Sequence, residues 1–385
     1  MINSKLMGGT LLIAGTAVGA GMLAIPMVLA QFGLLWGTLL MLFIWLGTTY
    51  AALLLLEATL KSGGGLGMNS IARKTLGKGG QLLTNALLYA LVVCLMIAYI
   101  VSAGDILQQL LNRFSIQISL LQSQIIFTGV SAFFIAQGTA MIDKLNRLLF
   151  FVMISALLLI LIYLLPNMAL DNILQVSNQN KIELIKNSAV LFTSFGFMVV
   201  IPSVVKYNQE ATHKQLRNMV VIGSTIPLFC YLLWLYAVAG NLPLHQLVHF
   251  SNVSDLISIL GKTHKNLEMF LSLFTSLAIL TSFIGVSMSL FDQNRDLFEK
   301  NRFVTAVITF SLPMFGAIWA QDQFIGVLAY AGLILVFLAI FIPLAMVRQI
   351  RINKINVTYY QVCGGSLSLA VCFLFGLFLL VSQLI

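Results

Sequence analysis

The sequence predicts an all-α protein that crosses the lipid bilayer many times. Of its 385 residues, 59% are hydrophobic and only 9% are charged, and the mean hydropathy is +0.99. Soluble globular domains have about 25% charged residues. The apolar residues also form long runs, each long enough to cross about 30 Å of hydrocarbon as a helix. These observations together exclude a soluble domain.

Eleven apolar runs follow one another along the chain, and each predicts one transmembrane segment. They are residues 6–32, 35–60, 82–105, 121–139, 146–166, 186–207, 218–240, 267–291, 303–320, 323–347 and 359–384. The first run continues past the region where a signal peptide would be cleaved and is interrupted by glycine, so we take it as the first span.

Two loops are long enough to have structure of their own. Residues 61–80 contain an amphipathic stretch, 68–76, which predicts a short helix at the cytoplasmic interface. Residues 241–266 predict an outer loop with a short helix that is capped by Ser254.

The net charge of +9 comes from lysines and arginines in the short turns between the runs. If the N-terminus is cytoplasmic, 16 of the 21 basic residues lie on the inner side. Because cytoplasmic loops are enriched in lysine and arginine, this bias predicts an inner N-terminus and an outer C-terminus. The basic residues form no patch or stripe, which argues against a nucleic-acid partner.

The cysteines and the outer histidines do not predict a metal or redox site. The cysteines fall in apolar runs without ligand or redox spacing, and we expect them to be small core residues. They are Cys94, Cys230, Cys363 and Cys372. His245 and His249 have the i, i+4 spacing of a metal pair, and His264 lies nearby. No carboxylate accompanies them, so we expect a solvated loop face.

Residues 15–21 are the most unusual stretch of the first run. They contain Gly15, Gly19 and Gly21, and each glycine costs a helix about 1 kcal/mol. The run should therefore break into two half-helices. Broken backbone in a bilayer is tolerated only where it is buried in protein or lines a watery cavity, so the stretch is a candidate binding site. Close helix packing through the Gly15 and Gly19 spacing is the alternative interpretation.

The sixth run predicts a matching break. Residues 194–202 place a glycine among polar and aromatic residues, and an Ile-Pro pair follows the glycine in both runs. Secondary transporters commonly contain inverted repeats with discontinuous helices in matching positions. The displacement of five segments predicts two inverted halves and an added eleventh segment. The predicted units are a first repeat over 1–166, an outer loop over 167–185, a second repeat over 186–347 and the eleventh segment over 348–385.

Paired breaks of this kind suit a zwitterion. The N-terminus of a half-helix presents free N–H groups and a positive dipole end to a carboxylate, while freed carbonyl groups can accept from an ammonium group. A membrane-embedded enzyme would need a catalytic cluster at membrane depth, and a channel would need a ring of like residues. Neither pattern is visible, and these two classes stay as the alternatives to a transporter.

Several motifs resemble one family. Residues 14–26 resemble the first helix of the bacterial tyrosine and tryptophan permeases, which belong to the hydroxy and aromatic amino acid permease family. Residues 193–197, continued by 201–203, resemble the sixth-helix signature of that family. Further matches lie at residues 54–57, 281–286 and 290–292. Length, eleven spans and motif order agree along the whole chain.

The resemblance implies the leucine-transporter-like fold of the amino acid/polyamine/organocation superfamily, a 5+5 inverted repeat with broken helices 1 and 6. It implies uptake of an aromatic amino acid across the bacterial inner membrane by ion symport. It implies no enzyme activity. Tyrosine is the first candidate, followed by tryptophan and phenylalanine, and serine or threonine is the alternative. One departure is Met198, where the family usually has histidine, so a titratable side chain is missing from the expected pocket.

No cofactor is implied apart from the coupling ion, with the proton as the first candidate and sodium as the alternative. The implied partners are the small amino acid and the lipid bilayer, without an obligate protein partner.

The resemblance also implies site residues on five segments. Residues expected at the substrate backbone are Ala17, Gly19, Ala20, Gly21, Ser194, Phe195 and Gly196. Residues expected around its side chain are Phe197, Met198, Tyr99, Thr275, Ser276 and Phe283, with Tyr330 as an outer gate. The candidate cation site comprises Gly15, Val18, Ala278, Thr281 and Ser282.

Glu57 in the second predicted span and Asp105 in the third are candidate intramembrane carboxylates, and both are close enough to an interface to be solvated or paired instead. Ionisable groups at membrane depth are functional candidates. We expect Glu57 to be the proton carrier because a run of leucines leads into it.

Overall fold

A computed structural model describes residues 4–113, 115–137, 139–175, 177, 180–247, 253–263, 267–298, 301–321, 323–353 and 360–384. In these ranges, all regular elements are helices, in agreement with the predicted all-α class.

The first five predicted segments form helices in the expected order. They are α1 (Ser4–Ala17) and α2 (Gly21–Leu29), which share the first segment, followed by α3 (Leu34–Lys61), α4 (Met68–Arg113), α5 (Leu120–Gln137) and α6 (Thr139–Leu164). The backbone of Gly77 is not helical and divides α4 at a kink. The predicted interfacial helix at 68–76 therefore exists, and it leads directly into the third segment.

The described residues after α6 add twelve helices. They are α7 (Leu170–Leu174), α8 (Lys181–Lys186), α9 (Ser188–Ser194), α10 (Ile201–Tyr207), α11 (His213–Asn241), α12 (Leu244–Leu247), α13 (Val253–Thr263), α14 (Leu267–Phe298), α15 (Arg302–Trp319), α16 (Phe324–Val336), α17 (Ile342–Ile352) and α18 (Gly365–Val381). A 3-10 turn over Gly196–Val200 separates α9 from α10, and a π-helical turn over Phe337–Phe341 joins α16 to α17.

Among the described residues, nine helical stretches are long and apolar enough to cross a membrane, and the bent pair of α1 and α2 makes a tenth. The predicted eleventh segment is represented by α18, which has 17 residues and extends about 26 Å at 1.5 Å per residue. The count of eleven spans is therefore not confirmed by helix length.

The two broken segments lie in the centre of the bundle. All residues of α2 from Met22 to Leu29 are buried, as are six of the seven residues of α9. In contrast, α6 exposes Phe151 and Ile162 by about 70%. Large exposed apolar side chains on a peripheral helix fit a hydrocarbon environment, so the outer helices shield the breaks from lipid.

Two local predictions are wrong. Because α13 begins at Val253, Ser254 lies inside the helix, where it is buried, and does not cap it. Cys363 is exposed because it lies in the turn before α18, whereas Cys372 is buried in that helix and Cys94 and Cys230 are half-buried.

The predicted solvated histidine face falls on His249, His264 and the side chain of His245, which lie outside the described residues.

Candidate functional site

The first segment breaks where its glycines predict. The axis bends by 53° between the end of α1 at Ala17 and the start of α2 at Gly21. A Cβ atom at Gly21 would lie 3.0 Å from the Cα atom of Ser194 in α9, and one at Gly19 would lie 2.5 Å from the Oγ atom of Ser282 in α14. The glycines therefore break the helix and also let two neighbouring helices approach it.

The sixth segment also breaks where predicted. After α9 ends at Ser194, the N–H of Phe197 donates to the carbonyl oxygen of Phe195 at 2.8 Å, which makes a tight turn. The chain becomes regular again at Ile201, and Pro202 lies in the first turn of α10, a position that needs no N–H donor.

Two side chains hold α2 in place, one from the last residue of α9 and one from the residue just before α9. The Ser194 hydroxyl donates to the carbonyl oxygen of Gly21 at 2.8 Å and also lies 3.0 Å from the carbonyl oxygen of Val190. The side-chain amide of Asn187 donates to the carbonyl oxygen of Val28 at 3.1 Å. The half-helices α2 and α9 are thus joined at both ends of their contact.

A tyrosine on α11 contacts both breaks. The Tyr231 hydroxyl lies 2.7 Å from the carbonyl oxygen of Ala17 and 2.6 Å from that of Ser194. The side chain is fully buried, and its ring packs edge-on against Phe195 at 4.9 Å. Sequence reasoning missed this residue. Tyr236 occupies the same apolar run, so the pattern alone does not distinguish the two.

Three predicted site residues meet on the other side of the first break. The Oγ atom of Ser282 accepts a hydrogen bond from the backbone N–H of Ala20 at 3.1 Å, and the side chain of Tyr99 of α4 lies close to the same hydroxyl. These contacts connect the third and eighth segments to the start of α2. The structure therefore brings Tyr99, Ala20 and Ser282 together.

The candidate cation site has only part of the expected set of free oxygen atoms. The Thr281 hydroxyl donates to the carbonyl oxygen of Leu277 at 2.8 Å, which leaves its lone pairs free. The oxygen of Ser282 already receives the N–H of Ala20. Gly15 faces the ring of Phe150, which would lie 3.2 Å from a Cβ atom at that position. Val18 and Ala278 are buried.

The predicted side-chain pocket is only partly assembled. Phe195, Phe197 and Met198 are fully buried around the second break. Thr275 of α14 is also buried, and its hydroxyl donates to the carbonyl oxygen of Leu271. Ser276 is half-buried, and Gly196 has Leu335 as its neighbour.

Two pocket predictions receive no support from the geometry. Phe283 packs against Phe127 of α5 and Phe310 of α15, with ring centroids 4.8 and 6.0 Å away, so it belongs to helix packing. Tyr330 is 64% exposed on α16. Neighbouring positions on a helix point about 100° apart, which explains how Ser282 reaches the break while Phe283 does not.

The predicted proton carrier, Glu57, is part of a buried ion pair. Arg351 of α17 donates through Nε to Oε1 at 3.0 Å and through Nη2 to Oε2 at 2.7 Å. Lys61 lies 3.3 Å from Oε1, and the backbone N–H of Val362 donates to Oε2 at 2.9 Å. These fixed contacts on both carboxylate oxygens favour a structural role for Glu57 over that of a proton carrier.

Two central segments of the bundle break side by side, and buried hydroxyl and backbone groups meet at the breaks. This is the architecture of secondary transporters with discontinuous helices. The solved structure of Mhp1 in an inward-facing conformation is similar to this chain, with a TM-score of 0.69, 13% identity and coverage of 98% of this chain and 88% of that one. The chain is a multi-pass membrane protein with the leucine-transporter-like fold.

The sequence model of the family described as "Tryptophan/tyrosine permease family" matches residues 2–383 of this chain. The chain belongs to this family, which confirms the resemblance of its motifs. Over 388 residues, it is 55% identical to "Glutamine transporter 2" of Aliivibrio fischeri, with full coverage of both chains. It is 34% identical to "Tyrosine-specific transport system 1" of Haemophilus influenzae, covering 97% of this chain and 95% of that one. Family and fold are those of transporters rather than enzymes.

Proposed function

We propose that this protein imports an amino acid across the bacterial inner membrane by alternating access. The observation that supports this function is the joining of the two helix breaks by the hydroxyl groups of Ser194 and Tyr231. The N-terminus of α2 then offers N–H groups and a positive dipole end to the substrate carboxylate. The C-terminal carbonyl groups of α1 and α9 offer acceptors to its ammonium group.

Glutamine is the first candidate substrate. The relative named as a glutamine transporter shares 55% of its residues over the full length, whereas the tyrosine-specific relative shares 34%. The hydroxyls of Tyr99, Ser194 and Ser282 also lie at the breaks, and hydroxyl groups can satisfy a buried carboxamide.

Tyrosine, the first choice from the sequence resemblance, becomes the second candidate, ahead of tryptophan and phenylalanine. Phe195, Phe197 and Met198 are fully buried at the second break and favour an apolar ligand. Serine and threonine fit these large side chains least well.

Proton coupling is the proposed energy source, with sodium as the alternative. Sodium prefers several oxygen ligands whose lone pairs are free. In this structure, the hydroxyl of Ser282 accepts the N–H of Ala20, which uses one of the two lone pairs of its oxygen and leaves fewer lone pairs for a sodium ion. Proton coupling is therefore the first proposal.

The test is uptake of radiolabelled glutamine, tyrosine, tryptophan and serine into proteoliposomes, with a pH gradient and a sodium gradient imposed separately. We expect glutamine to accumulate under an inward proton gradient. Protein-free liposomes and vesicles with the Gly19→Leu variant are the controls. Accumulation of tyrosine instead of glutamine would correct the substrate, and dependence on sodium alone would correct the ion. Absence of uptake of all four amino acids under both gradients would refute the transport proposal.

A further inference from the structure

Three oxygen atoms meet between the two helix breaks. They are the hydroxyl of Tyr231 and the carbonyl oxygens of Ala17 and Ser194, which lie 2.7 and 2.6 Å from that hydroxyl. Ala17 is the last residue of α1, and Ser194 is the last residue of α9. The hydroxyl therefore contacts the C-terminal ends of two half-helices that come from different segments.

This arrangement has one proton for two acceptors. A tyrosine hydroxyl has a single O–H donor, and the C-terminal carbonyl groups of a helix lack intrahelical partners and have partial negative charge. Tyr231 is fully buried, and its one proton can serve either carbonyl group. The hydroxyl therefore holds the ends of both half-helices within hydrogen-bond distance of one atom.

The link made by Tyr231 differs from the other contacts at the breaks. Ser194 and Asn187 join α9 to α2, and Ser282 holds the start of α2. Tyr231 instead reaches Ala17, the end of α1. It thus connects the half-helix on the other side of the first break to the joined pair of α2 and α9.

We propose that Tyr231 is a positioning residue that sets the spacing of the two breaks, and thereby the orientation of the carbonyl groups that receive the ammonium group of the substrate. This inference rests on the proposed amino acid transport. Tyr231 acts through the backbone of Ala17 and Ser194, whose carbonyl oxygens lie 2.7 and 2.6 Å from its hydroxyl.

The experiment measures kcat and KM of uptake in proteoliposomes for three variants and the wild type. Tyr231→Phe removes the hydroxyl group and keeps the ring. Replacement of Tyr231 by p-aminophenylalanine keeps the shape and supplies two N–H donors, one for each carbonyl group. Tyr236→Phe is the matched control, since Tyr236 lies on the same helix and its hydroxyl only accepts from Thr38 at 3.3 Å.

For Tyr231→Phe, we expect KM to rise about tenfold or more, the effect of leaving buried carbonyl groups without their donor. We expect kcat per folded transporter to change less than about threefold, because a loss of ground-state positioning appears in KM. The p-aminophenylalanine variant should return KM to near the wild-type value, and Tyr236→Phe should leave both constants unchanged.

An unchanged KM in Tyr231→Phe would overturn the inference, and so would an equal rise in the phenylalanine and p-aminophenylalanine variants. If Tyr231→Phe does not fold, the p-aminophenylalanine variant decides: a wild-type KM supports the inference and a large increase overturns it. If the proposed function is wrong, the wild-type protein itself takes up no amino acid, which is a different result from a change in the variants alone. In that case the inference about Tyr231 is refuted together with the proposed function.

Discussion

Arg351 and Glu57 form a two-point ion pair that connects the second and tenth segments, with N–O distances of 3.0 and 2.7 Å. Glu57 is fully buried, and the side chain of Arg351 is 15% exposed. The N–H of Val362, which precedes α18, donates to the same carboxylate. A residue that the sequence offered as a proton carrier therefore anchors three elements of the fold.

Glu57→Gln should destabilise the protein without removing the proposed proton dependence of uptake. Removal of one partner of a buried ion pair costs about 3–5 kcal/mol because the other charge remains buried. Thermal unfolding of the purified protein should show a clear decrease in Tm. The control is Glu210→Gln, which breaks the exposed contact with Lys5 at 3.6 Å and should cost at most about 1 kcal/mol. Proton-driven uptake is measured relative to the amount of folded Glu57→Gln protein. Its loss would show that Glu57 is the proton carrier.

Gly19→Ala should weaken substrate binding. Its Cβ atom would lie 2.5 Å from the Oγ atom of Ser282, so Ser282 must move and release the N–H of Ala20. We expect a KM about tenfold higher or more, since a hydrogen bond at the break is lost. Gly285→Ala on α14 is the matched control, because a Cβ atom there meets no atom within 4 Å. Similar uptake constants for both variants would contradict the placement of the first break in the site.

Ser282→Ala and Tyr99→Phe should have effects that do not add. The two side chains lie close to each other at the first break, and Ser282 also accepts from the N–H of Ala20. Residues in contact show coupling energies of about 0.5–3 kcal/mol in a double-mutant cycle. The measurement is the dissociation constant of the substrate for the two single variants and the double variant. Strict additivity would show that Tyr99 and Ser282 act independently.

Phe283→Ala should reduce stability and leave the apparent affinity for substrate unchanged. The ring packs against Phe127 and Phe310, and removal of a buried phenylalanine ring costs about 3–5 kcal/mol. Tm should therefore fall while KM per folded transporter stays near that of the wild type. Tyr330→Phe, at an exposed position, should change neither quantity. A large increase in KM for Phe283→Ala at low temperature would return this residue to the substrate pocket.

The sequence alone determined the all-α membrane class, the order of the segments and both helix breaks. These features depend on the length of apolar runs and on local clusters such as Gly15, Gly19 and Gly21, which act within one helix. The motifs around the breaks also indicated the family. The orientation of the termini and the boundaries of the two repeats stay predictions, because they rest on charge bias and motif spacing alone.

Only the tertiary structure decided which side chains act on the breaks. Ser282 and Phe283 are neighbours in sequence, yet one reaches Ala20 and the other packs between α5 and α15, because adjacent helical positions face different directions. Glu57 meets Arg351 across 294 positions of sequence, and Tyr231 meets Ala17 across 214. Such pairings arise from the packing of distant helices, and no local pattern encodes them.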